Sequence, residues 1–134
     1  MICIDTTVMI DEFRARGDLY APVNRALIAH RNEELVIPAV VAGEFLDGAV
    51  SVSEERLQQA LALLRTRRII HADLDVAELY GRIVSFLRTQ NALSGRSHND
   101  VWIAATARHM GAHLLTRNPR HFDGIPNVAI IGYH

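Results

Sequence analysis

The chain has 134 residues, 49% of them apolar and 22% charged, which is enough to bury a core in one domain and excludes a disordered chain. A formal net charge of −1 gives no global signature of nucleic-acid binding. All 14 basic residues are Arg, so chemistry that needs a lysine (a Walker lysine, a Schiff base, a receiver-domain lysine) is excluded, and every cationic contact is a planar fork suited to phosphate or carboxylate.

In chain order, Ile2 to Asp5 reads as the first strand, a short apolar run closed by a carboxylate. Thr6 or Thr7 is the expected cap of the helix that follows. A lone Cys3 inside that strand suggests a reducing compartment. Asp5 falls where a signal peptide would carry its apolar segment, so the expected location is the cytoplasm. Two helices should fill Thr7 to Asn32, divided near Gly17-Asp18, with Leu19, Val23, Leu27 and His30 on one face of the second. Leu35 to Pro38 reads as the second strand. The apolar run that begins there reaches only Ala42 and is interrupted by Pro38, too short to span a membrane.

Pro38 can open the next helix at its first turn, and Glu44 is expected on its inward face, one turn beyond Val40 and Val41. Ser53-Glu54-Glu55-Arg56 marks the capped, acidic start of a helix through Leu57, Leu61 and Leu64. Arg68 to Ala72 reads as the third strand. Val76, Leu79, Tyr80, Ile83 and Leu87 give a single apolar helix face, with Asp73 or Asp75 as cap. Ser97 or Asn99 caps a further helix that carries Asp100 in its first turn, ahead of Ala104, Ala105 and Ala107. His113 to Thr116 and Val128 to Gly132 complete five strands. Strands alternating with helices predict an α/β fold, a mostly parallel sheet of four or five short strands flanked by helices, in a single domain over residues 1–134.

Ligand chemistry in an open α/β sheet gathers outside the carboxyl ends of the strands. Asp5 ends the first strand, Glu44 follows the second, and Asp100 starts a helix narrow enough to lie tight on the sheet. Each alone reads equally as a cap or a solvated acid. Together on one edge they would repel one another and call for a cation, and an oxygen-only set suits Mg²⁺ or Mn²⁺ rather than zinc. Thr116, Arg117, Asn118, Arg120 and His121 reach the same edge after the fourth strand.

Four stretches occur in an order and spacing that resemble the PIN-domain ribonucleases: Ile4-Asp5-Thr6-Thr7, Gly43-Glu44, Asn99-Asp100-Val101-Trp102-Ile103-Ala104-Ala105, and Leu115-Thr116-Arg117-Asn118-Pro119-Arg120-His121-Phe122. Within that family the chain looks like a VapC toxin of a bacterial type II toxin–antitoxin pair. The resemblance spans the whole length. It implies a three-layer α/β domain, Mg²⁺- or Mn²⁺-dependent RNA cleavage, a homodimer, and a small VapB-like antitoxin. It also implies that Asp5, Glu44 and Asp100 are the acidic metal ligands. Asn118 stands where the family often has a fourth acid, and its amide offers a second ion one neutral oxygen.

In this reading Thr6 or Thr116 positions a water, while Arg117 or Arg120 grips the flanking phosphate. The antitoxin tail would lie across the first two helices and push an Arg into the acidic pocket. Two rivals stand beside it. One is a catalytically silent partner of a DNA-binding antitoxin. The other is a phosphotransfer domain, opposed by the missing lysine and by Thr7 where the dehalogenase pattern wants a second Asp.

Overall fold

The computed structural model describes Met1–His134. Its centre is a five-stranded sheet of β1 (Ile2–Ile4), β2 (Leu35–Pro38), β3 (Arg68–Ile70), β4 (His113–Thr116) and β5 (Ile130–Gly132), in the order β3-β2-β1-β4-β5. Every neighbouring pair is parallel. A parallel sheet needs cover on both faces, which is why β1 is wholly buried and has no polar alternation. The cover comes from α1 (Thr6–Ala15), α2 (Pro22–Ala29), α3 (Ala39–Val50), α4 (Glu54–Leu64), α5 (Leu74–Thr89) and α6 (His98–Met110). No helix is long and apolar enough to cross a membrane.

The strand order fixes where a site can form. The chain builds outward from β1 through β2 to β3, then returns to lay β4 on the other side of β1. Connections on the two sides of β1 therefore diverge and leave a crevice at the carboxyl ends of β1 and β4. The register Ile4↔Leu115 sets Asp5 and Thr116 side by side at its mouth.

Several local expectations change. Asp5 itself caps α1, its carboxylate accepting from the Thr6 amide, and Thr6 and Thr7 lie inside the helix. Pro38 caps α3 from outside rather than occupying its first turn. Leu19 lies before α2, which starts at Pro22, and is exposed together with Tyr20. The break between α1 and α2 falls at Arg16 and Gly17, both at positive φ. β3 and β5 are each two residues shorter than predicted, His71-Ala72 and Val128-Ala129 falling outside the strands, although the Ala129 carbonyl still accepts from the Leu114 amide at 2.8 Å. Asp73 caps α5, and Ser53 caps α4.

Candidate active site

Asp5 continues the β1 ladder by one bond, its amide donating to the Leu115 carbonyl at 3.1 Å. The bond fixes its main chain, and the side chain is fixed as firmly. Oδ1 accepts from the Thr6 amide at 2.5 Å. Oδ2 accepts from the hydroxyls of Thr7 at 3.0 Å and Thr116 at 2.6 Å. Only 4% of the residue is exposed. A carboxylate has about four lone-pair sites, so these contacts leave Asp5 one, on Oδ1.

Thr116 is fully buried and its hydroxyl is committed twice, donating to Asp5 and accepting from the Asn118 amide at 3.0 Å. It therefore orients Asp5 rather than a water. The Thr6 hydroxyl is likewise engaged, donating to Glu44 Oε1 at 2.7 Å. Glu44 is exposed, so the expectation that it looks inward along α3 is corrected. Phe45 and Val41 take the buried face, and Glu44 swings to the rim, where Thr6 meets it. Glu44 Oε2 has no partner in the fold.

Asp100 occupies the first turn of α6, where Val101, Ile103, Ala104 and Ala105 are fully buried beside it. Burial and the negative charge of Asp5 push its pKa up to about 6, with a smaller push from Glu44; His121 and Arg96 oppose the shift. Asp100 thus lies within electrostatic reach of both Asp5 and Glu44, and His121 and Arg96 only partly offset the push. They are not yet a closed ligand shell. The one set of three donor groups whose atoms all lie within 4.8 Å of one another is elsewhere, the exposed Asp73, Asp75 and His109.

Arg117 and Arg120 take different positions. Arg117 pairs through Nη1 with Asp11, and its amide donates to the Thr7 hydroxyl. Arg120 is exposed and has no ion pair or hydrogen bond. Asn118 precedes the 3-10 helix Pro119–Phe122, and its side-chain amide makes no hydrogen bond. His121 Nδ1 stands 3.6 Å from Asp100 Oδ2.

Sequence reasoning missed Thr7, Asp11, Arg96 and Tyr133. The Tyr133 hydroxyl donates to Asp11 Oδ2 at 2.7 Å, and burial together with the Asp11 charge pushes its pKa well above the usual phenol value. Thr7 and Asp11 were findable, since i and i+4 share a helix face pointing back to Asp5. Nothing local marked Tyr133.

The sequence profile of the PIN domain family matches residues 2–127. The chain belongs to the PIN domain family. Among its relatives, Ribonuclease VapC19 of Mycobacterium tuberculosis is 33% identical over 128 residues, covering 96% of this chain and 97% of that protein. Ribonuclease VapC1 of Haemophilus influenzae is 28% identical over 127 residues, covering 93% of this chain and 92% of that protein. In three dimensions, this PIN domain superposes on VapBC2 from Rickettsia felis, solved bound to a DNA fragment from its promoter. The TM-score is 0.81 at 26% identity, with 100% of both chains covered.

Proposed function

We propose that this PIN-family chain is a divalent-metal-dependent endoribonuclease, the toxin of a type II toxin–antitoxin pair, acting as a single domain over residues 1–134 in the cytoplasm. The observation that carries it is that Asp100 lies within electrostatic reach of Asp5 at the β1/β4 crevice, Asp5 keeping one lone-pair site and the Asp100 carboxylate making no hydrogen bond within the fold. Names of the relatives support the same reaction class.

The donor set fits a hard cation. Asp5 offers its remaining Oδ1 site, Glu44 its free Oε2, and Asp100 both oxygens, all ligands suited to Mg²⁺ or Mn²⁺. Glu44, exposed at the rim and held through Oε1 alone, is the ligand that would turn its Oε2 towards Asp5 and Asp100. The Asn118 amide oxygen is a fourth, neutral donor. A bound divalent ion supplies a water of lowered pKa for in-line attack and neutralises charge on the phosphoryl oxygens.

The chain's own residues do the rest. Thr7 and Thr116 hold the Asp5 carboxylate in one orientation, and Thr6 holds Glu44 until the site closes. Because one Arg117 amino group is paired with Asp11, Arg120 is the guanidinium with all its donors free for a phosphate.

The partner reading has its own support. Ile10, Phe13, Phe45, Ala49 and Val52 line an apolar groove that runs to Glu44, with Arg14 and Arg56 on its walls. Val52 is 72% exposed. An antitoxin segment laid there would end at the acidic centre, where an Arg could enter. The protein is proposed to act as a homodimer that a VapB-like partner silences.

The test is cleavage of total RNA by purified protein, with Mg²⁺ or Mn²⁺ and with EDTA, followed by sequencing of the new ends. Metal-dependent cleavage lost in Asp5→Asn supports the proposal. A protein that binds its antitoxin yet cleaves nothing would be a silent partner instead.

A further inference from the structure

An open groove of 310 Å³ has Asp100 in its lining and shares no lining residue with the apolar groove. One wall is the connection between α5 and α6, with Ser94, Gly95 and Ser97; the other is the 3-10 helix, with Arg120 and His121. Ala92 is the one hydrophobic residue in its lining. Neither serine hydroxyl has a partner, Arg120 has none, and Gly95 has open space where a Cβ would stand.

Arg96 ties the two walls together. Its Nε donates to the Ala92 carbonyl at 3.2 Å, Nη1 to the His121 carbonyl at 2.9 Å, and Nη2 to the Asp123 carbonyl at 2.6 Å. All its hydrogen-bond partners are main-chain oxygens, so it forms no direct ion pair, and Asp100 feels its charge only at longer range. In a chain of net charge −1, the groove thus concentrates cationic groups beside an acidic centre. A polyanion whose phosphates follow those cations is led to the acids.

We propose that this groove is a phosphate subsite for the RNA strand on one side of the scissile bond. Arg120 and His121 contact a phosphate there, and Arg96 is the positioning residue that holds both against the Asp100 edge. The inference rests on the ribonuclease reading and adds the direction in which the strand leaves the acids. A guanidinium can bind phosphate in a fork, the unpaired serine hydroxyls can donate to the same backbone, and the side-chain-free Gly95 lets that backbone approach.

Binding of a short fluorescein-labelled, mixed-sequence single-stranded RNA to the full chain in EDTA, read by anisotropy across a salt series, tests this. Arg120→Gln should weaken binding and shrink the log–log salt slope by about 0.7, the loss of one single-strand phosphate contact. His121→Gln should weaken binding. Arg96→Gln should reproduce the Arg120→Gln slope with its thermal midpoint followed in parallel, and Arg96→Lys should restore part of it. Adding Arg120→Gln to Arg96→Gln should then change little, because both remove one contact.

In cleavage assays Arg120→Gln should raise KM while leaving the Mn²⁺ requirement unchanged. Arg82→Gln, on the exposed face of α5, should match the parent slope. An unchanged slope in Arg120→Gln overturns the subsite while leaving the nuclease reading intact, as does weaker antitoxin capture with RNA binding unaffected. A parent chain that neither binds nor cleaves RNA overturns both.

Discussion

The Thr116 hydroxyl donates to the Asp5 carboxylate at 2.6 Å, joining the ends of β4 and β1 across 111 residues of chain. The bond is buried and one partner is a carboxylate, so it belongs among the stronger hydrogen bonds. Thr116→Val removes it and also strips the Asn118 amide of its acceptor. Expected losses are about 2 kcal/mol of unfolding free energy and most of the RNA cleavage. Thr116→Ser, which keeps the hydroxyl, should retain both. Urea unfolding beside a cleavage assay checks this. A fully active Thr116→Val would mean that Asp5 needs no such restraint.

Asp100 sets the pH response. Its pKa is about 6 in the fold, raised from 3.8. Between those values the folded protein keeps a proton that the unfolded chain has lost, so stability falls as pH rises through the window and stays low above it. Asp100→Asn removes the cost. The variant should be more stable than the parent by about 1–2 kcal/mol at pH 7.5, allowing for partial exposure. The gain should vanish below about pH 4, while cleavage is lost at every pH. Thermal denaturation from pH 3.5 to 7.5 measures it, and equal stability at neutral pH would refute the electrostatic account.

The sheet was legible in the sequence because its strands are short apolar runs ended by polar residues. β2 and β4 match their predicted limits, Leu35–Pro38 and His113–Thr116. The fold class, the capped starts of α4 and α5, and the meeting of Asp5 and Thr116 at the carboxyl ends of β1 and β4 followed from the same patterns. The family followed from motif order. What stayed hidden depends on side-chain direction. Glu44 could not be assigned to the rim without knowing that Phe45 and Val41 fill the inner face of α3. Arg117 and Arg120 look equivalent in sequence, and only the position of Asp11 on α1 separates them. Arg96 left no local sign of its bridging role, because the two carbonyls that tie it to the other wall are more than twenty residues away.

Metal uptake separates the two groups of acids. Titration calorimetry should detect Mn²⁺ binding to the parent chain, with proton release when the titration is run below pH 6, since Asp100 must ionise to bind. Asp5→Asn and Glu44→Gln should each weaken binding at least tenfold, which corresponds to about 1.4 kcal/mol. His109→Ala should leave it unchanged, because the exposed Asp73, Asp75 and His109 lie outside the crevice. Binding lost in His109→Ala but kept in Asp5→Asn would transfer the metal to that other cluster.

Asp11, Arg117 and Tyr133 brace the loop after β4 from α1 and the chain end. The Asp11 side chain is 18% exposed and meets both Arg117 and the Tyr133 hydroxyl. Removing the cation leaves a largely buried carboxylate with one neutral donor, a change that costs more than the pair itself contributes. Arg117→Gln should therefore lose about 2 kcal/mol of stability, whereas Arg120→Gln, with no partner to orphan, should lose almost none. Asp11→Asn combined with Arg117→Gln should recover much of the loss, since no charge is then stranded. Urea unfolding of the four proteins decides it. Equal stability of Arg117→Gln and Arg120→Gln would deny Arg117 its bracing role and return it to the pool of cations open to phosphate.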